Sequence, residues 1–309
     1  MKRAGFSDVT NHSITLENYR SLLDGLHKEY NVQKANGRQL VLLNLVDGSE
    51  YDGYPGQSII EYIEELGVPS TGANAAFYDV TTTKPRLKQV LIDKGVSTSA
   101  FVEVGSEETV EEDVEKAGES IGFPLIIKPS NSYASYGISD QSVVHTKEDA
   151  VRQIRKLLSD KTTFDGIFME KFLRGREFTV LVTGDANVGL KVFPALERAF
   201  SESLPIEQRF LAFERYWNGY DLDGRAPAHD VRLFEFKKAP EEFQPALQQL
   251  ARDAYLALGG TGYGRVDIRS DDLHSSRFFV LEVNAQCDVT YSPSSTVGEV
   301  SSYCSTMPC

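Results

Sequence analysis

The sequence predicts a mixed fold with α/β and α+β parts, and three observations support this. A continuously apolar run, RQLVLLNLV (38–46), precedes a glycine-rich loop and an amphipathic helix (58–67), as in a βαβ unit. From about residue 81, strand-like runs alternate with helices that have charged outer faces, which indicates antiparallel strands with helices on one side. Two apolar runs around a polar turn, within 265–286, predict a final β-hairpin.

Residues 1–80 are predicted to form an N-terminal α/β domain. Apolar residues at helical spacing predict a helix within 13–30. The run 38–46 is mostly apolar, so we expect a strand buried on both faces. The region offers fewer strands than an α/β domain needs. The domain is therefore predicted to be incomplete, with an unpaired sheet edge.

The rest of the chain is predicted to form two α+β subdomains, 81–170 and 171–309. The first begins with a helix, TTTKPRLKQVLIDKG (81–95), and continues with strands in 97–105 and 124–130. The run GIFMEKFLRGREFTVLVTGD (166–185) predicts two strands interrupted by LRGR. Residues 241–260 predict a long amphipathic helix before the final hairpin.

Composition excludes several classes of protein. The net charge of -13, from 45 acidic and 32 basic residues, argues against a nucleic-acid partner or an anionic membrane surface. Three cysteines are too few for a disulfide framework and have no metal-binding spacing, which favours a reducing, cytoplasmic location. The basic start lacks an apolar core, so no signal peptide is expected, and no run of 18 apolar residues predicts a membrane span.

The predicted final hairpin carries oxygen-bearing side chains that are candidate ligands of a metal ion. Glu282 and Asn284 lie two residues apart and therefore point to the same side of their strand. If the two runs pair in antiparallel fashion, Asp267 joins them. Two carboxylates and an amide oxygen, without Cys or His, suit magnesium bound together with phosphates. The alternative is a solvated strand face with unrelated acidic residues.

Two further stretches carry candidate nucleotide-binding groups. Lys128 ends an apolar strand and is followed by a small, polar loop that includes Ser135, which suits phosphate oxygens. Near 170–177, the backbone around Glu170, Lys171 and Leu173 could bind a flat base, and Glu177 could accept from sugar hydroxyls. The alternatives are a strand-to-loop turn with an exposed lysine and a surface connector with compensating charges.

The order of four motifs, PLIIKPS, EKFLRGREFTV, GRVDIR and LEVN, resembles the ATP-grasp superfamily, and within it the D-alanine–D-alanine ligase group. The similarity covers roughly residues 40–290. It implies an ATP-grasp fold in which two α+β subdomains enclose ATP, next to the incomplete N-terminal domain. It also implies an ATP- and magnesium-dependent ligase that joins a small carboxylic acid or amino acid to an amine through an acyl phosphate, as a homodimer.

The resemblance assigns roles to particular residues. Lys84 and Lys128 would contact the nucleotide phosphates, and the loop with Ser135 would close over them. The adenine would lie against Glu170, Lys171 and Leu173, with the ribose at Glu177. Two magnesium ions, for which manganese can substitute, would be held by Asp267, Glu282 and Asn284. Catalytic roles would fall to Arg265, Lys128 and Tyr216, the last within a lid segment.

Departures from the family pattern leave two alternatives open. Cys287 and Asp288 replace the usual Pro-Gly turn after the metal-site Asn, and Ala134 replaces the first of two serines. Both ends of the family pattern are also shortened. One alternative is an ATP-binding protein without ligase activity. The other is a phosphotransferase that acts on a hydroxyl group.

Overall fold

The structure is a computed structural model that describes residues 6–48, 50, 53–131, 135–159, 165–213 and 233–287. The chain divides into two compact units, Met1–Thr71 and Gly72–Cys309. None of the helices in these described ranges is both long and apolar enough to span a bilayer. The predicted division at 80/81 and 170/171 stays a prediction.

The described residues of the first unit include two α-helices, α1 (Tyr19–Ala35) and α2 (Gln57–Leu66), which share a small apolar core. The carboxylate of Glu50 accepts hydrogen bonds from the N–H groups at the start of α2, which satisfies donors that a helix terminus leaves open. The helix ends at Gly67 in the left-handed conformation.

The prediction of a strand buried on both faces at 38–46 is wrong. Among the described residues this segment makes a single parallel bridge, between Leu42 and Ser70. Leu42 and Val46 pack on the core of α1 and α2. The alternate side chains on the other face are exposed: Val41, Leu43 and Leu45. Continuous apolarity therefore does not mark burial here, because helices cover only one side.

The second unit contains five helices among its described residues, and those predicted near 81–95 and 241–260 are confirmed. The helices are α3 (Ala75–Thr82), α4 (Lys84–Asp93), α5 (Val110–Ser120), α6 (Lys147–Ser159) and α7 (Gln244–Ala257).

The first sheet of this unit is antiparallel, with the order β1-β4-β2-β3. Its strands are β1 (Phe101–Glu103), β2 (Leu125–Pro129), β3 (Val143–Val144) and β4 (Ile167–Lys171). Leu125, Ile127 and Met169 pack against α5 and α6. Since side chains alternate along a strand, Lys128 and Glu170 point to the opposite face.

The second sheet is also antiparallel, with the order β10-β9-β5-β7-β8 and β6 paired to β5. Its strands are β5 (Glu177–Asp185), β6 (Gly189–Val192), β7 (Leu196–Phe200), β8 (Phe234–Lys238), β9 (Tyr263–Ser270) and β10 (Phe278–Ala285). The two strands interrupted by LRGR and the final hairpin are thereby confirmed.

One face of the second sheet is covered by helices and the other is polar. A Cβ added at Gly264 would lie 3.2 Å from the rings of Phe77 (α3) and Tyr255 (α7), which pack edge to face. Val266 and Ile268 alternate in phase with Gly264 and are fully buried on that side. Arg265, Asp267 and Arg269, which have the opposite phase, therefore lie on the polar face.

Candidate active site

The hairpin of β9 and β10 brings the three predicted metal ligands together. The amide nitrogen of Asn284 donates to Asp267 Oδ2 at 3.1 Å and to Glu282 Oε1 at 3.4 Å. Arg265 donates to the same Asp267 oxygen at 2.9 Å. The side chain of Asp267 is 6% exposed and that of Glu282 is 32% exposed, so the cluster is open on the Glu282 side.

A β-bulge creates this arrangement. Val280 pairs with Ile268, but the next pairs are Glu282 with Asp267 and Asn284 with Arg265. Had the register continued without the extra residue, Leu281, both polar side chains of β10 would lie on the face that the helices cover. The bulge shifts them to the polar face beside Asp267.

Lys84, the first residue of α4, connects this helix to the acidic cluster. Its ammonium lies 3.7 Å from Glu282 Oε2, and its side chain is 11% exposed. Burial lowers the pKa of Lys84, while the charge of Glu282 opposes that shift. Burial raises the pKa of Glu282, but Lys84, Lys128 and Arg265 outweigh it and leave the pKa below its usual range. Glu282 is therefore ionised and surrounded by cations.

Lys128 is held by Glu170 on the polar face of the first sheet. Its ammonium lies 2.6 Å from Glu170 Oε2 and its side chain is 14% exposed. The other carboxylate oxygen of Glu170 accepts from Ser99 and lies 2.5 Å from the ammonium of Lys88. Burial raises the pKa of Glu170, but Lys128 and Lys88 outweigh it and lower the pKa to about 2.

The remaining residues predicted to contact the adenine have occupied or buried side chains. The ammonium of Lys171 donates to the carbonyls of Gly122 and Phe123, each at 3.1 Å. Burial, with a smaller contribution from Arg174, lowers the pKa of Lys171. Leu173 is buried directly after β4. At these positions only the backbone is placed to meet a ligand.

Glu177, the predicted ribose contact, lies at the start of β5 between two arginines. Its carboxylate pairs with Arg198 of β7 and, at 3.2 Å, with Arg269 of β9. All three side chains are buried. Since Glu177 pairs in register with Arg269 and Thr179 with Asp267, this cluster lies on the same polar face as the metal-site residues.

Of five other residues singled out from the sequence, the structure describes two. Ser135 has a positive φ of 61° and its carbonyl accepts from the N–H of Ile138 in a turn. Cys287 is buried with Leu181 and Leu196 in an apolar cluster. Tyr216, Ala134 and Asp288 lie outside the described residues.

The donor set fits magnesium better than zinc. No three His, Cys, Asp or Glu side chains come together among the described residues, so the hairpin site consists of two carboxylates and an amide. Magnesium is typically bound through one or two carboxylates together with substrate phosphates. Lys84 and Lys128 supply positive charge for such phosphates.

Comparison with known proteins gives the family. The profile of the family described as "D-ala D-ala ligase C-terminus" matches residues 90–296, about two thirds of the chain. The chain belongs to this family. A D-alanine–D-alanine ligase of Xanthomonas axonopodis pv. citri (strain 306) is 28% identical over 255 residues, which is 81% of this chain and 69% of that protein.

Solved structures give the fold. A D-alanine–D-alanine ligase from Coxiella burnetii superimposes with a TM-score of 0.61 at 18% identity, over 85% of this chain and 63% of that one. A Bacillus anthracis D-alanine–D-alanine ligase, complexed with ATP, superimposes with a TM-score of 0.58 at 20% identity, over 80% of this chain and 69% of that one. The protein has the ATP-grasp fold, as predicted. It spans less than two thirds of the Coxiella chain's length.

Three buried charged residues near the candidate site were not predicted from the sequence. Lys88 pairs with Glu170, whereas Arg198 and Arg269 both pair with Glu177. A signal for Lys88 was present, since it shares the stripe of α4 with the buried Leu87 and Leu91. A signal for Arg269 was also present, since it follows Arg265 and Asp267 at the two-residue spacing that places side chains on one face of a strand. Arg198 has no comparable local signal.

Proposed function

We propose that the protein is an ATP- and magnesium-dependent carboxylate–amine ligase that forms an amide bond through an acyl phosphate. The observation that carries the proposal is the convergence of Asp267, Glu282 and Asn284 with Arg265 and Lys84. Membership in the ligase family supports this reaction over the two alternatives, since nothing in the comparisons favours a phosphotransferase or an inactive nucleotide-binding protein.

Lys84 and Lys128 would bind the phosphates of ATP. Both ammonium groups lie next to carboxylates, and the two lysine side chains are 11% and 14% exposed. Phosphoryl transfer depends mainly on positioning and on neutralising negative charge, which two lysines at fixed positions provide. Ser135, in the turn that follows β2, would close over the same ATP phosphates.

Asp267, Glu282 and Asn284 would hold two magnesium ions, for which manganese can substitute. When bound, the metal neutralises charge on the transferring phosphoryl group. Glu282 is more accessible than Asp267, and Asp267 is oriented by Arg265. The three side chains together carry the charge of two carboxylates. Part of the metal coordination is therefore left to phosphate oxygens.

The adenine would be recognised by the backbone near Leu173 rather than by side chains. Among the described residues no carbonyl accepts from the N–H of Leu173, which leaves that donor for a base nitrogen. The carboxylate of Glu170 is fully engaged by lysines, so it would act through Lys128. Glu177 would accept from the ribose hydroxyls with lone pairs that its two arginines leave unused.

Arg265 would stabilise the acyl phosphate and the oxyanion that forms when the amine attacks. Its guanidinium already lies against Asp267, and although burial lowers its pKa, Asp267 outweighs this and raises it. Arg265 is therefore always charged when an oxyanion develops. Tyr216, which lies outside the described residues, is proposed as a further catalytic residue, and Lys128 would neutralise the transferred phosphoryl group.

The acid and the amine would be amino acids, with D-alanine the first to test because relatives carry that name. The apolar cluster around Cys287 contains Leu181, which pairs in register with Arg265, so a small apolar side chain would fit beside the reacting carboxylate. We further propose a cytoplasmic location and a homodimer, which the low cysteine content and the family resemblance support.

The test is a turnover assay with ATP, magnesium and a panel of D- and L-amino acids and small acids. The proposal expects ADP and phosphate in equal amounts, only when a matching acid and amine are both present. ADP without free phosphate would instead indicate transfer to a hydroxyl. Nucleotide binding without turnover in any mixture would indicate the inactive alternative, and either result would overturn the ligase.

A further inference from the structure

Lys88 is a fully buried lysine that none of the roles above uses. It lies on α4, one turn after Lys84, with no exposed side-chain surface. Its ammonium donates to Thr98 Oγ1 and Ser99 Oγ, each at 2.9 Å, and lies 2.5 Å from Glu170 Oε1. All three N–H groups therefore have acceptors, which a buried ammonium requires.

Glu170 separates this buried lysine from the lysine that faces the site. One carboxylate oxygen receives Lys88 and the other receives Lys128. The two lysines and the carboxylate sum to one positive charge. Since Glu170 is neutralised from the buried side by Lys88, the charge of Lys128 is not cancelled by its own partner.

We propose that Lys88 is a positioning residue for phosphate binding: it neutralises Glu170 and so keeps the charge of Lys128 available to the nucleotide. The inference rests on the proposed function, because it assigns a nucleotide phosphate to Lys128. Without Lys88, Glu170 and Lys128 form a neutral pair, and the charge of Lys128 is cancelled by its own partner.

The same network also reaches the metal hairpin. The hydroxyl of Thr98, which accepts from Lys88, donates to the carbonyl of Val280 at 2.7 Å. Val280 is the last residue before the bulge of β10. Lys88 thus also contributes to packing, so an experiment has to separate its charge from its contribution to stability.

Lys88→Met removes the charge and keeps an unbranched apolar side chain. We expect its dissociation constant for ATP, measured by calorimetry, to rise about tenfold to a hundredfold, the range of a charge-assisted hydrogen bond. Adenosine, which lacks phosphates, should bind the variant as it binds the wild type. Arg86→Met is the matched control, because Arg86 lies on the same helix with 54% of its side chain exposed, and it should bind both ligands normally.

The double variant Lys88→Met with Glu170→Gln tests the charge argument directly. It removes one cation and one anion, so Lys128 again carries an uncancelled charge. Removing a whole buried ion pair is also tolerated better than removing one partner, which guards against a single variant that does not fold. We expect the double variant to bind ATP more tightly than Lys88→Met alone.

Each outcome has a distinct meaning. If the double variant binds ATP no better than Lys88→Met, or if adenosine binding falls as much as ATP binding, Lys88 is only structural and the inference is overturned. If the wild type binds ATP but never forms a product, the ligase proposal fails while the inference about Lys88 stands. A wild type that binds no ATP overturns both.

Discussion

Two carboxylates of the site, Glu170 and Glu282, each face a lysine, and they differ in how they are held. Glu170 is 1% exposed and lies within 2.6 Å of two ammonium groups. Glu282 is 32% exposed and lies 3.7 Å from a single ammonium group, that of Lys84. The first carboxylate is enclosed and fully paired, whereas the second is accessible and loosely paired.

This difference separates a carboxylate that organises the protein from one that can bind a ligand. Removing one partner of a buried pair leaves an uncompensated charge, so Glu170 cannot exchange its lysines at low cost. A loosely paired, accessible carboxylate loses little when it exchanges an ammonium for a metal ion. We therefore expect substitutions in the hairpin to affect chemistry most, and substitutions around Glu170 to affect stability and phosphate binding.

The largest effect is expected for Asp267→Asn in the hairpin cluster of Asp267, Glu282 and Asn284. The substitution preserves size but removes one of two carboxylates that would bind the metal. A contribution of about 4 kcal/mol from the metal corresponds to a loss of roughly a thousandfold in kcat. Turnover should be measured as phosphate release, with Asp253→Asn on the surface of α7 as the control. A loss of less than about tenfold would contradict the metal role.

A smaller effect, on stability, is expected around the enclosed carboxylate. The pKa of Glu170 is about 2 against a usual 4.5, so the unfolded chain binds the proton more tightly than the folded protein does. The resulting stabilisation is present above pH 4.5 and is lost as the pH falls toward 2. It amounts to about 3 kcal/mol.

Glu170→Gln should remove that part of the pH dependence, although it also lowers stability at neutral pH because Lys88 loses its partner. The free energy of unfolding in urea should be measured at neutral pH and across this acid range for both proteins. Glu115→Gln, at an exposed carboxylate, controls for the loss of one negative charge. Identical acid slopes for the wild type and Glu170→Gln would be incompatible with an enclosed, ionised Glu170.

Arg265→Ala is expected to follow, with a loss on the order of a hundredfold in kcat. The structural reason is that, within the described part of the chain, the guanidinium of Arg265 donates its hydrogen bonds to Asp267 of the metal-site hairpin. Arg265→Lys should recover part of the rate, because a lysine keeps the charge but not the two-pronged geometry. If KM for ATP rises while kcat stays unchanged, Arg265 binds nucleotide rather than stabilising the oxyanion.

The sequence predicted the secondary-structure elements that carry the site more accurately than it predicted the contacts between their side chains. The order of strands and helices from residue 81 onward follows from periodicity, and the pairing of GRVDIR with LEVN follows from the hairpin pattern. The bulge at Leu281 was not predicted. The sequence nevertheless contains a sign of it, because the apolar residues of β10 change from even positions (Phe278 and Val280) to odd positions (Val283 and Ala285). That change of phase is the local sign that a residue has been inserted into the ladder.

Buried ion pairs were the other limit. Lys88 and Glu170 are 82 positions apart in the chain (170 − 88), and no local sequence pattern indicates that they form an ion pair. The apolar stripe of α4 shows that Lys88 faces the interior, yet it cannot name the partner. Similarly, the run 38–46 predicted a buried strand, but among the described residues it makes only one bridge, because strand pairing and burial depend on neighbouring elements that periodicity does not reveal.

The smallest effect is expected at the ion pair between Lys147 and Glu115, which links α6 to α5. It has close geometry, but the two side chains are 47% and 50% exposed. Water and salt screen such a pair, and holding two long side chains in place costs entropy, so the coupling should be below about 1 kcal/mol. A double-mutant cycle with Lys147→Met and Glu115→Gln measures it from urea unfolding. Because the Glu170 pairs also have close geometry, a coupling here as large as theirs would mean that geometry, rather than enclosure, sets the strength of ion pairs in this protein.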